Sequence, residues 1–257
     1  MTRRILAFLT PAFLTLAFLT LADTMAAQEQ AHYDIERASS AILIDGTLDE
    51  QAWLDAPAVG DFSPMAPEPA VKQQTIVKML WDDENLYVGY YMIDNRISAY
   101  VTERHGPVSR DDCVEIFLSP GPSKVTNYYT FEINAIGTML NRCKTGWWTG
   151  PPTWEPDGVR YKTSFHGRPE KNPSPKDHHW VVEMAIPFRN FSKDSVHTPP
   201  EPGDEWRLNL HRLDEGLPKT AAGRRKQRTG FSTWSPLPPE VQSFHSPAWF
   251  GWVRFVK

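Results

Sequence analysis

The sequence predicts an all-β protein, an antiparallel β-sandwich, on three observations. Short segments alternate apolar and polar side chains with period two, the spacing of a strand that turns one face toward a core. Turn-forming Gly, Pro, Asn and Asp separate these segments, and long helical patterns do not intervene. Aromatics are abundant (10 Trp, 8 Tyr and 13 Phe in 257 residues) and so is Pro (23), which suits short strands and loop-rich connections.

Residues 1–27 read as a signal peptide rather than part of the fold. Arg3 and Arg4 precede an apolar run from Ile5 to Ala22, and small residues close it at Ala26 and Ala27. The run approaches the roughly 20 residues of a membrane span, but Pro11 and the Ala-Ala end favour cleavage. A secreted or periplasmic location follows. Residues 28–40 are polar and are expected to be a flexible lead-in to one domain over residues 41–257.

Within that domain Ala41 to Asp45 reads as a short strand, and Leu48 to Ala56 as one or two helical turns ended by Pro57. Pro64 to Pro69 is a loop. Gln74–Trp81 and Leu86–Ile93 form a hairpin through Asp82-Asp83-Glu84-Asn85, and the second strand is apolar or aromatic on both faces, hence central. Asp112–Leu118 and Tyr129–Ala135 make another hairpin, joined through Pro120-Gly121-Pro122. Asn141 to Asp157 is expected to be a long loop carrying Trp147, Trp148 and Trp154. Val159–Phe165, Trp180–Ile186, Trp206–Leu213 and Gly251–Val256 are further strands, with a Pro-rich segment from Arg168 to Asp177. Phe188–Phe191 suits a helical turn, and Leu217–Gly230, with Arg224-Arg225-Lys226, a solvated basic loop. Trp53, Trp81, Trp180 and Trp206 lie in regular elements and are assigned to the core.

The formal charge is −4 at pH 7, and removing residues 1–27 makes it slightly more negative, which excludes nucleic acid as a main partner. Cys113 and Cys143 are the two cysteines, and an oxidising compartment permits a disulfide. A tight hairpin, however, sets Cys113 near residue 134 rather than 143, so the pairing stays open.

The polar halves of the strands carry the functional signal. Glu115 falls on the face opposite Val114, Ile116 and Leu118, and Glu132 and Asn134 opposite Phe131 and Ile133. Glu183, Asn209 and His211 repeat the pattern later. If these faces point the same way they form a concave surface for a ligand rich in hydroxyls. A regular hairpin also sets Glu115 and Glu132 opposite each other. Such like-charge pairs cost a few tenths to about 1 kcal/mol, so a ligand's hydroxyls, a nearby cation or a raised pKa is expected to offset them.

Several phrases, in this order, resemble carbohydrate-binding module family 9 and the wider group of DOMON-like sandwiches. They are Ile44–Glu50 with Trp53, Leu80–Val88, Asp112–Phe117, Phe131–Asn134, Val182–Pro187 and Phe244–Gly251. Tyr128–Asn134 with Gly137-Thr138 looks closest to the stand-alone, secreted bacterial branch. The resemblance implies that a chain end of a β-linked glucan or xylan is clamped between two aromatic rings over polar groups on a sheet. Glu115 then matches the family's carboxylate and Asn134 its amide, while His211 stands where the family has Gln and Phe244 where it has the second clamping Trp. Ser109 occupies the place of the first clamping Trp, and Glu132 that of a basic residue, so a missing ring would come from Trp147, Trp148 or Trp154. The implied partner is an oligo- or polysaccharide, alongside polysaccharide-degrading enzymes.

Two other classes compete. Paired carboxylates serve glycoside hydrolysis at about 5–5.5 or 6.5–9.5 Å, though no nucleophile elbow or His-Glu-x-x-His phrase is present. Some DOMON-like proteins hold haem; Met79, Met92, Met139 or Met184 with His211 or Lys78 supply the ligand types, but Cys-x-x-Cys-His does not occur. No cofactor is otherwise required, although the acidic turn Asp82-Asp83-Glu84 suggests calcium, which relatives carry.

Overall fold

A computed structural model of the chain describes residues 29–65, 74–122, 127–145, 154–169, 178–214, 230–241 and 243–257. The elements, in order, are β1 (His32–Arg37), α1 (Gln51–Asp55), β2 (Ser63–Pro64), β3 (Thr75–Trp81), β4 (Asn85–Ile93), β5 (Cys113–Ser119), β6 (Asn127–Asn134), β7 (Met139–Thr145), β8 (Arg160–His166), β9 (His179–Pro187), β10 (Glu205–Leu213), β11 (Phe231–Thr233) and β12 (Gly251–Phe255). Short 3₁₀ turns at Val108–Arg110, Phe188–Phe191 and Pro247–Trp249 complete them. No helix among the described residues is long and apolar enough to cross a membrane.

The strands hydrogen-bond in the order β7-β6-β5-β10-β12-β1-β3-β4-β9-β8, with β11 and β2 appended to β10. This sheet curls into two facing layers at β1. His32 to Ile35 pair with β12, and Glu36 and Arg37 pair with β3, in parallel on both sides. The remaining ladders are antiparallel.

One apolar core fills the space between the layers. Val114, Ile116 and Leu118 meet Tyr129, Phe131 and Ile133 from the β5–β6 side, and Val88, Tyr90, Met92, Trp180, Val182 and Met184 face them from the other layer. Trp206 sets its ring edge-on to Phe255 at 5.1 Å and to Phe191 at 5.5 Å, geometry that favours aromatic pairs. Trp53, Trp81, Trp180 and Trp206 are all buried. At one end Arg212 crosses between layers. Its guanidinium donates to the Gln74 and Ile93 carbonyls at 3.1 and 2.8 Å and lies 3.3 Å from Asp94 and 3.4 Å from Asp214.

Three local expectations change, and the open question of the cysteines is resolved. Residues 32–37 are a strand, not part of a flexible lead-in; Tyr33 and Ile35 enter the core while His32, Asp34 and Glu36 face out. Ala41–Asp45 joins no ladder, because Ile42 and Ile44 pack instead with Trp53 against Leu80 and Tyr87 on the outside of the β3–β4–β9 layer. Met139–Thr145, the start of the expected long loop, is strand β7, paired along β6. The cysteines are not bonded. Cys113 pairs with Asn134 and lies on the outer face, whereas Cys143, opposite Tyr129 and two strands away, packs on the core side.

Glu183 is also placed differently. It points out of the β4–β9–β8 layer, away from Glu115, and accepts hydrogen bonds from the Asp45 and Gly46 backbone at 2.9 Å and from Trp53 Nε1 at 3.0 Å. Gly46 allows this turn because its φ of +90° lies in a region that other residues rarely adopt. Glu183 is therefore an anchor for the α1 segment.

Ile35 is fully buried in the strand that joins the layers. Ile35→Ala is expected to cost about 2–5 kcal/mol of stability, read as a lower urea midpoint with an unchanged denaturant slope.

Candidate functional site

The outer face of the β7–β6–β5–β10 layer gathers most of the expected polar residues. Glu132 on β6 faces Glu115 on β5, which in turn faces His211 on β10, so the three form one row across three strands. Asn134, two residues beyond Glu132, shares that face. Opposed side chains stand about 4.5–5.5 Å apart at Cβ, and diagonal ones about 7–8 Å. Each glutamate is only 5 % exposed.

Loops roof this row. Phe244 stacks on His211 with ring centres 4.0 Å apart and planes 17° apart, and Phe117 sets its ring edge-on to His211 at 4.8 Å. His245 stacks on Phe117 at 4.8 Å and makes a 3.1 Å hydrogen bond through Nδ1 with the Tyr128 hydroxyl. Tyr128 meets Phe250 edge-on at 5.4 Å. A second, smaller apolar cluster results, built from Phe117, Tyr128, Phe244 and Phe250 with Leu140 and Leu213. The polar row thus lies beneath aromatic rings.

Electrostatics follow from that enclosure. His211 is fully buried, and neither ring nitrogen has a hydrogen-bond partner. Burial, helped by nearby His245, holds its pKa well below the usual histidine value. Tyr128 is pushed up from its ordinary value, first by burial and then by Glu132 and Glu115, with Arg142 opposing. Burial and the same two glutamates also raise Cys113.

Not every polar residue on this face is open to a ligand. Asn134 donates through Nδ2 to the Val101 carbonyl at 2.8 Å and to Asp111 at 2.7 Å, while its Oδ1 accepts from Thr138 N at 2.8 Å. Asn209 likewise holds the Ser235 backbone through both ends of its amide. Trp154 is absent from the face. It packs edge-on against the inward rings of Tyr129 (4.8 Å) and Phe131 (5.6 Å), and so covers the core. Trp147 and Trp148 lie outside the described residues.

Arg142, Tyr128, Phe117 and His245 join the face without having been picked out as site residues. Arg142 is carried by β7 opposite Thr130. Its signal is the Leu140–Arg142 alternation, obscured by the neighbouring Gly and Trp. Tyr128 continues the Thr130–Glu132 alternation by one step.

Elsewhere, Asp82 of the acidic turn accepts the Glu84 and Asn85 backbone N–H groups and the Tyr87 hydroxyl, and Asp83 pairs with Arg37 at 2.6 Å. Met79, Met92 and Met184 point into the core, on the far side of the sheet from the His211 ring. Lys78 donates to the Trp53 carbonyl.

A two-layer sandwich with a polar, aromatic-roofed face is the architecture of a carbohydrate-binding module. The profile of carbohydrate-binding family 9 matches residues 66–255, and the chain belongs to that family. Among solved structures it resembles a Bacteroides uniformis ATCC 8492 protein assigned a carbohydrate-binding role, at 22% identity over 88% of this chain and 100% of that one, with a TM-score of 0.69. It also resembles a family 9 module from Caldicellulosiruptor kristjanssonii. The cellotriose complex of that module gives 14% identity, coverage of 88% and 93%, and a TM-score of 0.59. Its glucose complex gives 15% identity, coverage of 86% and 95%, and a TM-score of 0.57. No curated protein matches the chain.

His211 has a testable pH signature. Its folded pKa lies below the unfolded value of 6.5, so as pH falls below 6.5 the unfolded chain takes up a proton that the fold refuses. Stability is then lost by about 1.4 kcal/mol per pH unit. His211→Phe removes that loss. Between pH 7 and pH 5 its urea-derived stability should therefore fall by less than the wild type's.

Proposed function

We propose that this chain is a secreted or periplasmic, non-catalytic carbohydrate-binding protein. It recognises β-linked plant-type polysaccharide of the xylan and glucan class, or its chain ends, and supports carbohydrate catabolism beside degrading enzymes. Glu115, Glu132 and His211 supply polar contacts from the outer face, Asn134 fixes its floor, and Phe244, stacked on His211, closes it with an aromatic side chain. Trp147 and Trp148 are the candidates for a second ring.

The observation that carries this reading is the buried row Glu132–Glu115–His211 under aromatic rings in a family 9 fold. Carboxylates accept hydrogen bonds from hydroxyls, and aromatic faces suit the C–H faces of sugars. The cellotriose and glucose complexes of the Caldicellulosiruptor module support the ligand class.

Calorimetry with cello- and xylo-oligosaccharides tests the reading. Hydrogen bonds to a charged group are worth about 1.5–3 kcal/mol each, so Glu115→Ala is expected to weaken binding at least tenfold, and Phe244→Ala comparably, with both variants folded by circular dichroism. Absence of binding to every neutral oligosaccharide overturns it. Release of reducing ends that Glu115→Gln abolishes would make the protein a hydrolase instead. Secretion is checked separately: mass spectrometry of exported protein should find an N-terminus close to residue 28.

A further inference from the structure

Three histidines meet at one end of the β8–β9 hairpin, in the layer that does not carry the polar row. His166 closes β8 and is the cross-strand partner of His179, which opens β9. Their rings stack 5.7 Å apart with planes 8° apart. His178, one residue earlier, donates its backbone N–H to the His166 carbonyl at 2.9 Å and sets its ring edge-on to that of His166 at 4.9 Å. Tyr91 on β4 stacks on His179 at 4.9 Å and 22°. Because Trp180, Val182 and Met184 point into the core, His179 and its partner face outward. His166 and His178 are exposed and His179 is half-buried.

We infer that His166, His178 and His179 form a surface site for a borderline first-row divalent cation such as zinc, nickel or copper. Imidazole is a preferred ligand of these ions, whereas calcium takes oxygen donors. Two imidazoles on one tetrahedral ion, with Zn–N of about 2.0–2.1 Å, place their ring centres roughly 5 Å apart. The His166 ring lies 4.9 Å from that of His178 and 5.7 Å from that of His179, near that value, and the rings must turn for their nitrogens to converge on one ion. Among the described residues the three imidazoles make ring contacts but no side-chain hydrogen bonds, so their nitrogens are available. Tyr91 braces the His179 ring, and water would complete the coordination. Bound metal would tie β8, a strand at the edge of the sheet, to its neighbour.

The aspartate group of Asp94, Asp112 and Asp214, whose oxygens lie within 4.8 Å of one another, is a poorer candidate because the Arg212 cation already lies against it.

The site is tested by calorimetric titration of tag-free protein with zinc chloride at pH 7.5. Saturation at about one equivalent is expected for four-coordinate zinc shared by these rings. His166→Gln and His179→Gln should each weaken binding at least tenfold, and the double variant should abolish it. His32→Gln, on β1 and far along the sheet order, should leave it unchanged. Zinc should raise the melting temperature of the wild type and not that of the double variant. No saturable binding, or binding that survives in the double variant, overturns the inference. Neither outcome bears on sugar recognition.

Discussion

The fold depends on how β1 divides its hydrogen bonds. Four of its residues pair with β12 and two with β3, and among the described residues the strand order has no other link between the layers. A strand that changes partner midway must turn with the sheet, and the sheet's curl brings two apolar faces together over Tyr33 and Ile35. Arg212 braces the same arrangement from within, reaching from β10 to carbonyls next to β3 and β4. Removing one partner from a buried charge leaves the other uncompensated, which typically costs about 3–5 kcal/mol. The guanidinium therefore commits β10 to one register against the opposite layer.

With the inner faces fixed, period-two alternation fixes everything on the outer ones. The two layers use those outer faces differently. Glu183 has three N–H donors from its own chain and holds the segment before α1 in place. Glu115, Glu132 and His211 are also buried, and the rings of Phe117 and Phe244 close over the His211 end of their row. A buried acceptor matched by the protein is scaffolding.

Much of this was legible in the sequence because alternation is local. It located β3 to β6, β8 to β10 and β12 and the inward tryptophans, and it set Glu115, Glu132, Asn134 and His211 on outward positions. It could not say which layer a strand joins, since that depends on partners far away in the chain; this is why Glu183 looked equivalent to Glu115. β1 was hidden for the same reason. Its six residues are mostly polar, and its partners begin at Leu80 and Trp252. β7 was hidden by composition, Gly and Trp following it closely. Trp154 was misplaced because a ring in a loop has no periodicity to give it a face.

The face also shows how charge can move while its surroundings persist. Family resemblance leads one to expect a basic residue at the position of Glu132, and the local charge is inverted there. Arg142 stands on the adjacent strand, opposite Thr130 and diagonal to Glu132. A diagonal spacing of about 7–8 Å is within reach of a long side chain. Burial raises Tyr128 most, Glu132 and Glu115 add to it, and Arg142 opposes. A positive group thus stands one strand outward from Glu132. The face consequently sets carboxylates on β5 and β6 beside a guanidinium on β7.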